Sequence, residues 1–551
     1  MRPHWNLIYQ NPIGRATIFG FYLMLYNVIY KREPEMDGMK PTLSAGARTL
    51  IVVLCGALVA AGLRLESPGD IAHAESSLSL YAAGRLLQGG LPYADVWYDR
   101  LPGTIIVNAL AQFIGPTFIT STVLELLWLA GAGAAVFFIL KGIGAASSGA
   151  GTAALWFFMA SAALTSFGAP NSPHSWAALF SALFFLSVVR HSGRDGAGAA
   201  FASGLAAGAA ACFIGREAAL VVVGLIAVRG RAGAFIAGFI VPPVAFAVAL
   251  VASGVAAPFA QALGSTLHVI AAAGALPRLD FCFSCAVKIA ALASPLILLF
   301  FSGAKRAADE PGSAPLRQSL AAWLFFEIAA ISVSGFLTPS SFMSLLLPAT
   351  VMLGAGSLCD ESRISAPALR RRAALALFMI SFMAVAFHAV VPAHSHGNSG
   401  LARPGGGPME WFHKKFVAEL VARNATPDER VLVWSDSALV YALSGRAAPT
   451  RHATIKPLFI KGYADERIRE FIYEVAENPP KLIVVEAPLL SEGMEAALKG
   501  KPQYEVAAAQ KPLFAFIQKL VRDDYDLITA HDGILICARK DRRAPGEKTN
   551  P

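Results

Sequence analysis

The sequence predicts a membrane-embedded, all-α body of about eleven spans, followed by a small α/β unit. Three observations predict it. The 551-residue chain is 55% hydrophobic and only 15% charged, with a mean hydropathy of +0.53, too apolar for a soluble globular protein of this size. Apolar runs of roughly 17 to 23 residues, long enough to cross a hydrocarbon core, recur between residues 46 and 392. After about residue 400 the composition changes: LARPGGGP reads as a linker, and the β-rich runs RVLVWS, KLIVVEA and GILICARK alternate with amphipathic stretches.

The formal charge of +9 does not indicate nucleic acid, because the basic excess is spread through short loops, as orientation by cytoplasmic Lys and Arg produces. The six cysteines are scattered and show no zinc spacing or disulfide framework. Cys282 and Cys285 form a lone CxxC, read as a buried pair rather than a redox or metal site.

Residues 1–45 read as a cytoplasmic or interfacial segment. The run at 16–30 is short for a span, and no small-residue cleavage site follows it. It fits an interfacial helix, or sequence upstream of a start at Met36 or Met39. The body, 46–393, then holds candidate spans near 46–65, 118–140, 150–167, 174–189, 197–214, 217–228, 232–254, 286–303, 318–336, 342–358 and 373–392. The run at 217–228 is short and follows a Gly-Arg-Glu break, so it and its predecessor can form a bent pair.

Whether GTIIVNALAQFIG, 103–115, crosses or lies on the membrane decides the topology. With it on the surface, Lys141, Arg190, Arg194, Arg229, Arg231, Lys305, Arg306, Arg317, Arg363 and Arg370 to Arg372 share one side, against Arg85, Arg100, Arg216 and Arg278 on the other. The positive-inside rule selects that reading. The loop at 66–117, the linker at 255–285 and everything after about 393 then share the extracytoplasmic side, with 394–408 a linker and 409–551 an extracytoplasmic α/β domain. Within the first loop, Leu78, Tyr81, Ala82 and Leu86 recur at helical spacing up to Gly89-Gly90. A second amphipathic segment, 103–115, follows Leu101-Pro102, and both suit helices lying in the interface.

The run from Glu75 through YAAGRLLQGGLPYADVWYDRLPG resembles the first extracytoplasmic loop of the GT-C superfamily of integral-membrane glycosyltransferases. It is most similar to the protein-mannosyltransferase-like group, which includes the lipid A aminoarabinose transferase and lipopolysaccharide-core galacturonosyltransferases. The tail, DERVLVWSDSALVYALSGRAAPTRH, then PPKLIVVE, then a strand pair ending ILICAR, is similar too, so the resemblance spans about 46–540. It implies a GT-C fold and an enzyme that moves a sugar from a polyprenyl-phosphate carrier to a hydroxyl of a lipid, glycan or protein acceptor at the outer face of the inner membrane. Such chemistry needs a carboxylate base for the attacking hydroxyl and cations over the departing phosphate.

By position the resemblance gives Glu75 the role of catalytic acid, where many relatives carry two adjacent acids and this chain has Glu75-Ser76. The other reading of Glu75 is an acid favouring the start of its helix, and Asp70 is the rival base. Arg100 matches the basic residue before the proline and is assigned to the donor phosphate; otherwise it is an arginine reaching for headgroups. Arg216 is a second phosphate contact or the partner of Glu217. Asn171 stands where many relatives carry an aspartate, so a polar acceptor contact is expected of it. Tyr93, Trp97 and Tyr98 read first as interface anchors and second as sugar platforms, while Asp95 and Asp99 are solvated or paired with Arg85 and Arg100. Arg85 completes the substrate-binding set. Glu125, Glu327 and His388 read as hydrogen-bonded between helices. His268, Arg278 and Lys288 border the outer linker, and TPSSF at 338–342 lacks the His-Tyr of relatives. No cofactor is certain and a divalent metal stays open.

Two other classes compete. A transporter or flippase of lipid-linked glycans also needs many spans and intramembrane charge, although no internal repeat is visible. A catalytically silent GT-C-like assembly protein is compatible with the single acid at Glu75.

Overall fold

The structure, a computed structural model, describes residues 74–115, 117–143, parts of 150–161, 171–191, 196–228, 230–272, 314–334, 343–356, 408–460, 464–486, 510–531 and 533–540. The expected spans at 46–65, 286–303 and 373–392, the CxxC cysteines, Asp70, Arg278, Lys288, His388 and the 338–342 turn lie outside the described residues.

The first loop folds as two helices, α1 (Ala74–Leu87) and α2 (Gly103–Ile114), as the amphipathic spacing predicts. They pack together, with Gln112 Nε2 donating to the Leu80 carbonyl and Asn108 Nδ2 lying 3.4 Å from Ser79 Oγ. Ile106, Leu110, Phe113 and Ile114 leave an apolar face of α2 uncovered by protein. The body continues through α3 (Thr117–Gly142), α4 (Pro173–His191), α5 (Ala197–Ala211), a 3-10 turn (Gly215–Ala219), α6 (Leu220–Ala227), α7 (Ala232–Ala252), α8 (Ala256–Ala272), α9 (Ala314–Ser334) and α10 (Met343–Gly356).

Two of the described helices are long and apolar enough to cross a membrane, at Ile119–Gly142 and Ala232–Ala252. Only 11% of the second is buried in protein, and Ile240, Val244, Val248 and Val251 point outward. An exposed apolar stripe of this length is what lipid contact requires. The opposite side of α7 meets α5 closely. A Cβ at Gly204 would lie 2.0 Å from the Phe235 carbonyl oxygen, one at Gly208 2.2 Å from that of Phe239, and one at Gly238 2.1 Å from that of Phe201. Small residues four apart let the two backbones touch, which is how helices associate where water drives nothing together.

Two elements differ from the sequence reading. The run at 217–228 is a 3-10 turn followed by an eight-residue helix, roughly 12 Å of rise, well short of a bilayer core. Part of the expected outer linker is helical, as α8. Gly254, at φ +75°, ends α7, and Pro258 sits in the first turn of α8, where a missing N–H costs nothing.

The C-terminal part contains α11 (Pro408–Asn424), β1 (Val431–Trp434), α12 (Leu439–Ser444), α13 (Ala464–Glu477), β2 (Leu482–Glu486), α14 (Lys511–Asp524), β3 (Tyr525–His531) and β4 (Ile534–Arg539). The sheet order is β1-β2-β4-β3, with β1 and β2 parallel and the other pairs antiparallel. All four β1 residues and the first four of β2 are buried, which fits their unbroken apolar runs. One face packs Trp434, Ile483 and Val485 against Phe471, Leu513 and Ile517, and the other packs Val433 and Val484 against α11 and the first loop.

Candidate functional site

The segments that the charge pattern places on one side of the body meet at one end of its helices. Gly103 N donates to the Cys212 carbonyl at 3.2 Å, joining the start of α2 to the turn that carries Arg216. The contact demands glycine, since a Cβ at 103 would lie 2.9 Å from both the Cys212 oxygen and Phe213 Cδ1. Thr266 of α8 donates to the Asp99 carbonyl at 2.9 Å. Tyr93, at φ 71°, donates its hydroxyl to the Arg100 carbonyl at 2.8 Å. The short stretch 99–103 is thereby fixed by three separate elements. Arg100 itself keeps 30% of its side chain exposed, 4.0 Å from Asp99.

Arg216 sits below this turn. Its guanidinium pairs with Glu327 of α9 at 3.3 Å, donates to Ser344 Oγ of α10 at 2.9 Å and meets His174 Nδ1 of α4 at 2.7 Å. Glu217 accepts from Ser344 at 2.8 Å and Ser181 at 3.2 Å. The sequence offered Glu217 as the partner of Arg216. The direct ion pair instead goes to Glu327, which answers the inter-helix role read for that acid, and Glu217 reaches Arg216 through the shared hydroxyl of Ser344.

Asn171 adopts φ 56°, a left-handed conformation that asparagine tolerates. Its Nδ2 donates to Asn108 Oδ1 at 2.9 Å, its Oδ1 accepts from Trp176 Nε1 at 2.8 Å, and its backbone N–H donates to Glu125 Oε1 at 2.8 Å. Ser121 and Ser175 close the knot. Asn171 thus joins α2, α3 and α4, with both ends of its amide engaged by protein.

The aromatic residues of the loop are buried in protein rather than standing at a lipid interface: Tyr93, Trp97 and Tyr98 are 1%, 2% and 1% exposed. Tyr93 meets Phe259 edge-on. Trp97 lies beneath the C-terminal sheet unit, with the guanidinium carbons of Arg451 and Arg467 at 4.9 and 4.4 Å from its ring centroid and the His452 ring at 5.4 Å. Its backbone N–H donates to the Arg451 carbonyl. Glu470 gathers nitrogens of two guanidiniums and one imidazole, at 2.7 Å from Arg451, 2.8 Å from Arg467 and 3.3 Å from His452. Burial pushes the Glu470 carboxyl up, but hydrogen bonds from His452, Arg451 and Arg467 outweigh it and hold the group at about 2. Burial holds the His452 imidazole below its ordinary value, against the pull of Glu470.

Further along α1, Ser77 Oγ and Ser437 Oγ are 3.2 Å apart, and the Tyr81 hydroxyl accepts from Ala448 N at 2.9 Å. Tyr81 and Tyr441 rings lie 5.1 Å apart. Arg85 donates to Gln88 and lines a cleft of about 270 Å³ with Tyr81, Gln112, Tyr441 and Arg446. Glu75 is the second residue of α1, and its side chain lies outside the described residues, as does that of His268. Asp95 accepts from Leu91 N rather than pairing with Arg85. Among the described residues no three His, Cys, Asp or Glu side chains gather as a metal site. The residues that sequence reasoning missed are Arg451, His452, Arg467 and Glu470. Their one signal was the TRH run at 450–452 beside an acid-rich helix, which reads as an ordinary solvated face.

No family model and no curated protein matches the chain. Among solved structures it is similar to ArnT from Cupriavidus metallidurans bound to undecaprenyl phosphate, at 12% identity and a TM-score of 0.48, over 90% of this chain and 98% of that one. The apo state of the same protein gives a TM-score of 0.49. A variant of the arabinofuranosyltransferase AftD from mycobacteria is similar at 14% identity and a TM-score of 0.47, over 91% of this chain and 42% of that one.

Proposed function

We propose that the chain is a GT-C-type glycosyltransferase of the cell envelope, moving a sugar from a polyprenyl-phosphate-linked donor to a hydroxyl of a lipid, glycan or protein acceptor at the outer face of the inner membrane. In this reading 46–393 is the membrane domain, and the loop at 66–117 and the domain at 409–551 face outward. The acceptor hydroxyl attacks the anomeric carbon, the bond from that carbon to the phosphate oxygen breaks, and the hydroxyl proton passes to Glu75, with Asp70 as the rival base. Polyprenyl phosphate leaves. Arg100 and Arg216 stabilise the charge that builds on its oxygen, while Arg85 lies farther out beside the cleft toward Tyr441.

The observation that carries the proposal is the meeting of the Arg100 turn with the Arg216 turn through Gly103 and Cys212. Two arginines far apart in sequence are thereby held at one end of the helix bundle, beside the uncovered apolar face of α2. Two arginines at that end, near an apolar face open to lipid, suit a phosphate carried on a long isoprenoid. Tyr93, Trp97 and Asn171 act here through the protein contacts that fix these turns.

The test is binding of undecaprenyl phosphate to the purified chain by native mass spectrometry. Arg100→Ala and Arg216→Ala are each expected to weaken it at least 10-fold, with Arg100→Lys recovering part of the loss because the charge remains without the planar fork. Unchanged affinity in both alanine variants would remove these arginines from a phosphate site.

A further inference from the structure

We infer that Arg451, Arg467 and Glu470 of the C-terminal unit are positioning residues for Arg100, acting through a clamp on Trp97; this rests on the phosphate-binding reading above. Two guanidiniums over one indole attract its π face but repel each other. Glu470 resolves the repulsion by accepting from both, and from His452 as well. The assembly is therefore a cage of two cations bridged by one carboxylate around a ring that is 2% exposed. The clamp also holds main chain, since Trp97 N–H donates to the Arg451 carbonyl.

Only Tyr98, 1% exposed, and Asp99 separate Trp97 from Arg100. Asp99 is held through its carbonyl by Thr266, and Arg100 through its own by Tyr93. Tyr93 keeps a backbone conformation rarely adopted by a bulky side chain, so the loop takes this path only while surrounding contacts impose it. The clamp supplies the contact at Trp97, and the body supplies those at 99 and 103. A phosphate site built on Arg100 is thus completed by residues from the other end of the chain. A displacement of an ångström at such a turn is enough to lose a positioned contact.

The experiment uses the full-length chain with Arg451→Gln and Arg467→Gln combined, two substitutions that leave Trp97 and the helices intact. Amide exchange at 97–103 is expected to rise at least 10-fold, while exchange in α4 and β1 stays as in the wild type. The affinity for undecaprenyl phosphate is expected to fall about 10-fold, and to fall no further when Arg100→Ala is added, since a residue acting through Arg100 has nothing left to act on. Arg467→Lys, which keeps a cation over the ring, is expected to recover part of the loss. Unchanged exchange at 97–103 would overturn the clamp, and losses that add independently to Arg100→Ala would overturn its action through Arg100. Should Arg100→Ala alone leave affinity unchanged, Arg100 is not a phosphate contact and the clamp's action through it is overturned, while the exchange data still decide the clamp itself.

Discussion

Replacing Glu470 with glutamine keeps the shape at the centre of the cage and removes its charge. The carboxyl is held at about 2 against an ordinary 4.5, so its partners favour the ionised form by roughly 3 kcal/mol. Glu470 is 27% exposed, and solvent screening brings the expected effect nearer to ~2 kcal/mol. A carboxyl lowered on folding contributes stability above its ordinary value and loses it as pH falls toward the folded one. The wild type is therefore expected to hold the cage about 2 kcal/mol more firmly than Glu470→Gln at pH 7. That difference is expected to close between pH 4.5 and about 2, where both side chains are neutral. The assay is hydrogen exchange at the Trp97 and Ala453 amides, both of which donate to the Arg451 carbonyl, in detergent across pH 7 to 3 and normalised for intrinsic rates. A protection ratio of roughly 30 at pH 7 is the expected result. A ratio near one at pH 7, or one that does not change on acidification, would refute the assignment of charge to the cage.

Two further predictions concern the body. Gly208→Leu sets side-chain atoms against the Phe239 carbonyl, where even a Cβ would come to 2.2 Å; a loss of ~3 kcal/mol or more is expected as a lowered Tm in detergent, whereas Gly198→Leu, with nothing within 4 Å, is expected to leave it unchanged. For topology, Asp436→Cys, at a half-exposed position of the sheet unit, is expected to react with an impermeant thiol reagent in intact cells and Arg371→Cys is not; the reverse would invert the orientation.

What was legible in the sequence is what depends on neighbours along the chain. Helices α1 and α2 followed from apolar spacing and the Gly89-Gly90 and Pro102 signals, and the strands from their β-rich runs. The Arg216-Glu217 break was visible because charge inside an apolar run is costly. Its true ion pair with Glu327 was not, because the partner lies on another helix more than a hundred residues on. Trp97 read as an interface anchor for the same reason: an aromatic beside a membrane has two ways to be buried, and only the fold shows that Arg451 and Arg467 cover it. Asn171 looked like a weakened acid. In three dimensions its side-chain amide donates to Asn108 of α2 and accepts from Trp176 of α4, and a carboxylate has no donor for the first of these. Helix α8 was read as linker because its glycine and polar residues broke the apolar run, although Gly254 and Pro258 marked its start.

The most direct test of the central claim is a comparison, by mass spectrometry, of cell-envelope glycans from cells lacking this protein and from the same cells given it back as wild type, Glu75→Gln or Asp70→Asn. One sugar is expected to disappear from an envelope glycan on deletion and to return with wild type and with Asp70→Asn. With Glu75→Gln, which keeps the shape and loses the base, transfer is expected to stay down by roughly 10²-fold or more at normal protein level. An envelope unchanged by deletion, or a sugar fully restored by Glu75→Gln, would contradict that claim.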